Sequence, residues 1–139
     1  MKTSANGLKF IEEQEGLRLK VYLDSVGKPT IGVGHLILPG EDFSGGITQE
    51  QAYALLAADV AKVDEVLTRI APDLNQNQHD ALASFGFNLG VGSLRMLLAH
   101  GIDQIPEQIL RWDKAGGKDV PALLARRKRE LALFQKENV

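Results

Sequence analysis

Glu15, Asp24, Thr30 and His35 fall within 21 residues of a 139-residue chain. Two carboxyl groups, a hydroxyl and an imidazole at that spacing could do acid–base chemistry if the chain folds them together. Glycosidic bonds are commonly cleaved by a carboxyl pair, one protonated to donate to the leaving oxygen, the other ionised to activate water or attack the sugar. The two need different surroundings, so that one keeps its proton while the other has lost it.

The elements that must carry these residues are readable around them. Ser4 or Asn6 caps a helix running through Leu8 and Ile11 to Glu15. Leu8, Ile11 and Glu15 share one face, so Glu15 points where the apolar side chains point. Gly16 ends the helix. Partial burial and the negative end of the helix dipole both disfavour an ionised Glu15. Leu17, Leu19, Val21 and Leu23 then alternate with Arg18, Lys20, Tyr22 and Asp24, which predicts a half-buried strand with Asp24 on its polar face. Residues 25–29 (SVGKP) are turn chemistry, and 30–35 (TIGVGH) predict the return strand of a hairpin. Glycines at 32 and 34 leave the Thr30 face bare, and glycine in a strand often marks close approach of a ligand or backbone. Glu15 is then the candidate general acid, Asp24 its anionic partner, and Thr30 a holder of water. The plain alternative is a surface glutamate and a turn aspartate, and spacing alone leaves both open.

The rest of the chain reads as helices. Residues 38–47 are loop-like, and Thr48 to Gln51 is a capping box. Ala52, Leu56, Val60, Val63, Leu67 and Ile70 form the apolar stripe of a long amphipathic helix, stopped by Pro72. Residues 75–78 (NQNQ) cap another helix, with Leu82, Phe85 and Leu89 on one side and Phe87 on the other. Ser93 is expected to cap a short helix, Pro106 to open one reaching Ala115, and Pro121 to open the last. The fold class is α+β: a small β-hairpin region near the start, then a helical bundle.

Composition narrows the functions. A chain of 139 residues with 44% hydrophobic and 24% charged residues suits one globular domain. With no cysteine, thiolate catalysis, disulfides and cysteine-held metals are excluded. A net charge of −2 offers no global attraction for nucleic acid or an anionic membrane. The basic run Arg126 to Arg129 is expected to be a solvated helix face instead. His35, His79 and His100 lie on separate elements, so metal binding is not expected. Trp112, the single tryptophan, reads as a core anchor or a platform for a sugar. No apolar run suggests a signal peptide or the roughly 18 residues of a membrane span, so membrane insertion is not expected.

The run Glu15-Gly16, Tyr22, Asp24, Gly27 and Pro29 to His35 resembles the signature of the phage-type lysozymes, glycoside hydrolase family 24. The Glu, eight residues, Asp, five residues, Thr spacing is similar to that family's catalytic triad. Further likenesses lie at Gly46 to Thr48, Leu74 to Gln78, Phe87 to Gly90, Trp112, Ala115 to Lys118, Arg126-Arg127 and Leu133-Phe134. Agreement at many positions in one order is a stronger signal than a short motif.

The resemblance implies a lysozyme-like domain: a β-hairpin lobe about 16–48, a linking helix about 49–71, and a helical lobe about 75–139 with the N-terminal helix, a cleft between them. It implies muramidase action on the β-1,4 bond between N-acetylmuramic acid and N-acetylglucosamine in peptidoglycan, with Glu15 as acid and Asp24 and Thr30 positioning water, usually with inversion and with no metal or cofactor needed. It further implies a structural His35–Asp59 ion pair, an arginine near Glu15 (Arg126 preferred over Arg127), and glycan contacts at Leu36, Phe87, Asn88 and Ser93. The expected partner is the glycan strand, met by a monomer that waits in the host cytoplasm for a separate pore-forming protein. Competing readings on the same fold are a non-catalytic peptidoglycan-binding module and a lytic transglycosylase, which needs the acid but not Asp24.

Overall fold

A computed structural model describes residues 1–137. The expected helical lobe runs to 139, and positions 138–139 lie outside the described residues. The first helix, α1 (Ala5–Glu15), is capped by Ser4, whose hydroxyl accepts from the Gly7 N–H. Strands β1 (Arg18–Leu23), β2 (Pro29–Gly32) and β3 (His35–Leu36) form an antiparallel sheet in that order. The long helix α2 (Gln49–Ile70) follows, with the capping box of Thr48 and Gln51. Then come α3 (Gln76–Leu89), α4 (Val91–Leu98), α5 (Ile105–Gln108), a two-stranded ribbon β4 (Lys114–Ala115) and β5 (Lys118–Asp119), and α6 (Pro121–Gln135).

One hydrophobic cluster unites the helices. Ile11 of α1, Leu56 and Val63 of α2, Phe85 of α3, Leu94 of α4 and Phe134 of α6 all belong to it. Helix α3 is buried from His79 to Gly86, and α6 packs along it. At Gly86 both α2 and α4 pack tightly against α3. A β-carbon there would lie 2.7 Å from Val63 and 3.0 Å from Leu94. Ile31 and Ala52 are fully buried outside that cluster, on β2 and the start of α2, where the sheet rests on the long helix. Among the described residues no helix is long and apolar enough to cross a membrane.

Several expectations are corrected. The alternating leucine face of β1 is open, with Leu19, Val21 and Leu23 at 40, 44 and 66% exposure. Arg18 pairs with Gly32 and Tyr22 with Thr30, so β1 has three residues where β2 has one. The bulge swings Leu19 away from β2, and its carbonyl accepts from Ile47 N–H at 2.9 Å instead. The return strand is not continuous either. Gly32 and Gly34 have φ of +68° and +61°, which break it into β2 and β3. Ile70 at the end of the α2 stripe is exposed. Ser93 lies inside α4 and makes no cap; Gly90 holds that place. The helix from Pro106 stops at a 3-10 turn, Ile109–Arg111, and Gly116-Gly117, both at positive φ, turn a ribbon rather than end a helix. The basic run is solvated only in part: Lys128 and Arg129 are exposed, but Arg126 and Arg127 are buried, as is Glu130 after them.

Candidate active site

Helix α1 delivers Glu15 as its last residue. Gly16, at φ +80°, turns the chain and donates its N–H to the Glu12 carbonyl. The Glu15 side chain is 21% exposed. Its Oε2 accepts from Nη1 of Arg126 on α6. Its Oε1 lies against Gly34, where a β-carbon would come within 2.9 Å. Only glycine leaves that room, so β2–β3 and the carboxylate share one small space.

Asp24 is built into the turn between β1 and β2. Its Oδ1 accepts from the N–H groups of Val26 (2.9 Å) and Lys28 (2.8 Å), an Asx-turn arrangement closed by Gly27 at φ +84°. Oδ2 accepts no hydrogen bond from the described residues. Thr30 is buried, and its hydroxyl donates to the Lys28 carbonyl at 2.9 Å. The oxygen's lone pairs stay available. One side of each residue therefore serves the turn, and the other can meet a water.

Tyr22 is a member of this group that the sequence reading left without a role. It sits opposite Thr30 in the register, with the Arg18 guanidinium 4.6 Å from its ring centre. Burial raises its hydroxyl above the ordinary tyrosine value, and the charges of Glu15 and Asp24 raise it further. Its place two residues before Asp24 on an alternating strand was the available signal.

His35 stands apart from this chemistry. Its Nδ1 is 2.7 Å from Asp59 Oδ2 on α2, and its Nε2 is 3.0 Å from Glu41 Oε1. Phe43 meets the ring edge-on at 5.9 Å. Burial alone would lower the imidazole below its usual value, but its hydrogen bonds to Asp59 and Glu41 outweigh that and the net shift is upward. Glu41 is held below the carboxylate range by the Leu38 N–H first and His35 second. Glu41 carried no sequence signal, because it lies in a loop. Among the described residues no group of three or more such side chains could hold a metal ion.

The expected glycan contacts fall in separate places. Leu36 and Phe87 line one hollow of about 290 Å³, together with Gly34, His35, Asp59 and Lys62. Ser93 and Trp112 line another of about 520 Å³. Trp112 also meets Phe85 edge-on at 5.6 Å, so it is both core and wall. Asn88 is turned to Arg127, whose Nη2 donates to its Oδ1 at 2.7 Å. A further hollow of about 590 Å³, between the N-terminal residues and α2, contains none of these groups.

Between Arg126 and Arg127 lies Glu130, fully buried, missed in the sequence although it is one helical turn from Arg126. Its Oε2 accepts from Ser84 Oγ at 2.6 Å, Arg127 Nη2 at 3.2 Å and Arg126 Nε at 3.4 Å. Arg127 Nε approaches Oε1 to 2.7 Å without hydrogen-bond alignment. Burial pushes Glu130 up and Arg127 down from their usual values. Neither charge is offered to a nucleic acid.

Residues 12–130 match the family model described as phage lysozyme. The endolysin of Salmonella phage P22 is 43% identical over 96% of this chain and 98% of its own length. A crystal structure of a P22 lysozyme mutant covers 98% of this chain and 99% of its own, at 41% identity and a TM-score of 0.79. The muramidase domain of SpmX from Asticaccaulis excentricus covers 98% of this chain and 99% of its own, at 29% identity and a TM-score of 0.81.

Proposed function

The chain belongs to the phage lysozyme family and is a lysozyme-type hydrolase, and from that premise we propose that it cleaves the β-1,4 bond between N-acetylmuramic acid and N-acetylglucosamine. Glu15 donates a proton from Oε1 to the leaving 4-oxygen of N-acetylglucosamine. A water held between Asp24 Oδ2 and Thr30 Oγ1 attacks the anomeric carbon of the muramic acid and gives its proton to Asp24. The glycosidic C–O bond breaks, leaving a free 4-hydroxyl on one side and a reducing end on the other. With both hydrogens directed at acceptors, the water has a lone pair left for carbon.

The observation that carries this reading is the division of labour within each side chain. Arg126 takes one oxygen of Glu15 and leaves the other beside Gly34. The turn takes one oxygen of Asp24 and the hydroxyl proton of Thr30, leaving Oδ2 and the lone pairs. An attacking water between Asp24 and the sugar corresponds to inversion, which needs carboxyl groups about 6.5–9.5 Å apart. Leu36 and Phe87 form the wall beside the sugar, with Asn88 and Ser93 further along the strand. The cleft of this reading runs between the sheet and the helices, with α2 joining the two lobes. The enzyme acts as a monomer, delivered to the wall by a separate pore-forming protein.

The test is clearing of purified peptidoglycan by wild type, Glu15→Gln and Asp24→Asn, with mass spectrometry of the products. Clearing by wild type, lost in both variants, with reducing muramic ends is the expected result. Anhydro ends would make it a transglycosylase, and binding without clearing by wild type would make it a binding module.

A further inference from the structure

Arg126 reaches Glu15 through a single donor. A guanidinium frequently grips a carboxylate with two parallel N–H groups. Here only Nη1 donates to Glu15, and only to Oε2. Nε turns the other way, 3.4 Å from Oε2 of Glu130, and Nη2 is buried with no partner among the described residues. A 3.4 Å contact is long for a hydrogen bond, but both groups are buried, where opposite charges are poorly screened. Glu130 is itself fixed by Ser84 and Arg127.

We propose that Glu130 is a positioning residue for Glu15: by claiming Nε of Arg126 it keeps that guanidinium from closing a two-pronged grip on Glu15, and so leaves Oε1 free to carry and deliver the proton. The inference rests on Glu15 being the general acid. Without Glu130, Arg126 rotates onto both oxygens, and the otherwise unpartnered Nη2 gains an acceptor. The ionised form of Glu15 is then favoured, and the acid is lost at a lower pH. Glu15 feels Arg126 from α6 and Tyr22 from β1, with Arg18 and Asp24 around that tyrosine. Glu130 faces Arg126 and Arg127 on its own helix and Ser84 on α3.

The experiment is a carbon-13 titration of the Glu15 carboxyl in wild type and Glu130→Gln, beside the pH profile of peptidoglycan clearing. The expected result is a midpoint at least one pH unit lower in the variant, a tenfold change in proton affinity, with the basic limb of activity moving by the same interval. A merely structural Glu130 would lower stability and leave the midpoint in place. A second pair, Arg126→Met and Arg126→Met/Glu130→Gln, asks whether the effect passes through the arginine. Equal midpoints are expected in that pair; the full shift there would mean direct repulsion between carboxylates and would overturn the proposal. If Glu130→Gln does not fold, Arg127→Met/Glu130→Gln removes the stranded buried charge and takes its place, with the same expected shift. An unmoved midpoint in an active enzyme overturns this inference alone. Failure of the wild type to clear peptidoglycan overturns the catalytic reading and this one with it.

Discussion

Glu15 Oε1 occupies the space that a side chain on Gly34 would need, 2.9 Å from the position of its β-carbon. Gly34→Ala therefore forces the carboxylate aside as well as placing alanine at φ +61°. The backbone alone costs about 1–2 kcal/mol. A displacement of about 1 Å at a reacting group lowers the rate on the order of 100-fold. Thermal melts beside peptidoglycan clearing should show modest destabilisation and near-complete loss of activity; an active Gly34→Ala would mean the oxygen has other room.

His35 makes stability depend on pH in a stated direction. Its imidazole is raised above the unfolded value of 6.5, so the charged brace to Asp59 and Glu41 contributes fully below that pH. The contribution fades as pH rises through the folded value. Urea unfolding of wild type and His35→Asn should differ by about 1–2 kcal/mol at pH 5.5 and by less at pH 9. A difference that grows with pH contradicts the charged brace.

Asp64 should behave in the opposite sense. Burial opposes its charge, but His79 and two bonds from Thr3 outweigh that and hold it below the ordinary value of 3.8. Its contribution is present above that value and is lost as pH falls through the folded one. Asp64→Asn should cost about 2–4 kcal/mol at pH 7 and distinctly less near pH 2.5, read by denaturant midpoints. An equal cost at both pH values would show that the bonds matter without the charge.

The open face of β1 gives a contrast of packing. Leu23→Ser should change stability by less than about 0.5 kcal/mol, because the side chain is already 66% exposed. Ile31→Ala, at a fully buried position, should cost about 2–5 kcal/mol. A large loss at Leu23 would mean that the bulged strand is covered in solution.

What the sequence disclosed was local. The caps at Ser4, Thr48 and Asn75, and the α2 stripe through Leu67, follow from chemistry within a few residues, and all form. The β1 bulge was hidden because its cause, the bond from Ile47 to Leu19, is set by a distant loop. Glycines were legible as interruptions but not as instructions. Gly116-Gly117 turns a ribbon just past Ala115, where the pattern predicts a helix, and Gly32 and Gly34 break what the pattern predicts as one strand. The burial of Arg127 and Glu130 was not legible, because their compensation comes from Ser84 and Asn88 on α3, which no charge pattern within α6 reveals. The resemblance of the run, more than its spacing alone, set Glu15, Asp24 and Thr30 together in expectation; how the oxygens of Glu15 divide between support and chemistry is decided by Arg126 and Gly34, far from it in the chain.

The turn at Asp24 has a consequence for anyone altering this chain. Oδ1 counts the residues that follow it, since it binds the N–H groups two and four positions on. One codon inserted between Val26 and Lys28 would break that count and rotate the carboxylate with it. Exposed though it is, this tip is a poor place to splice a tag or an epitope.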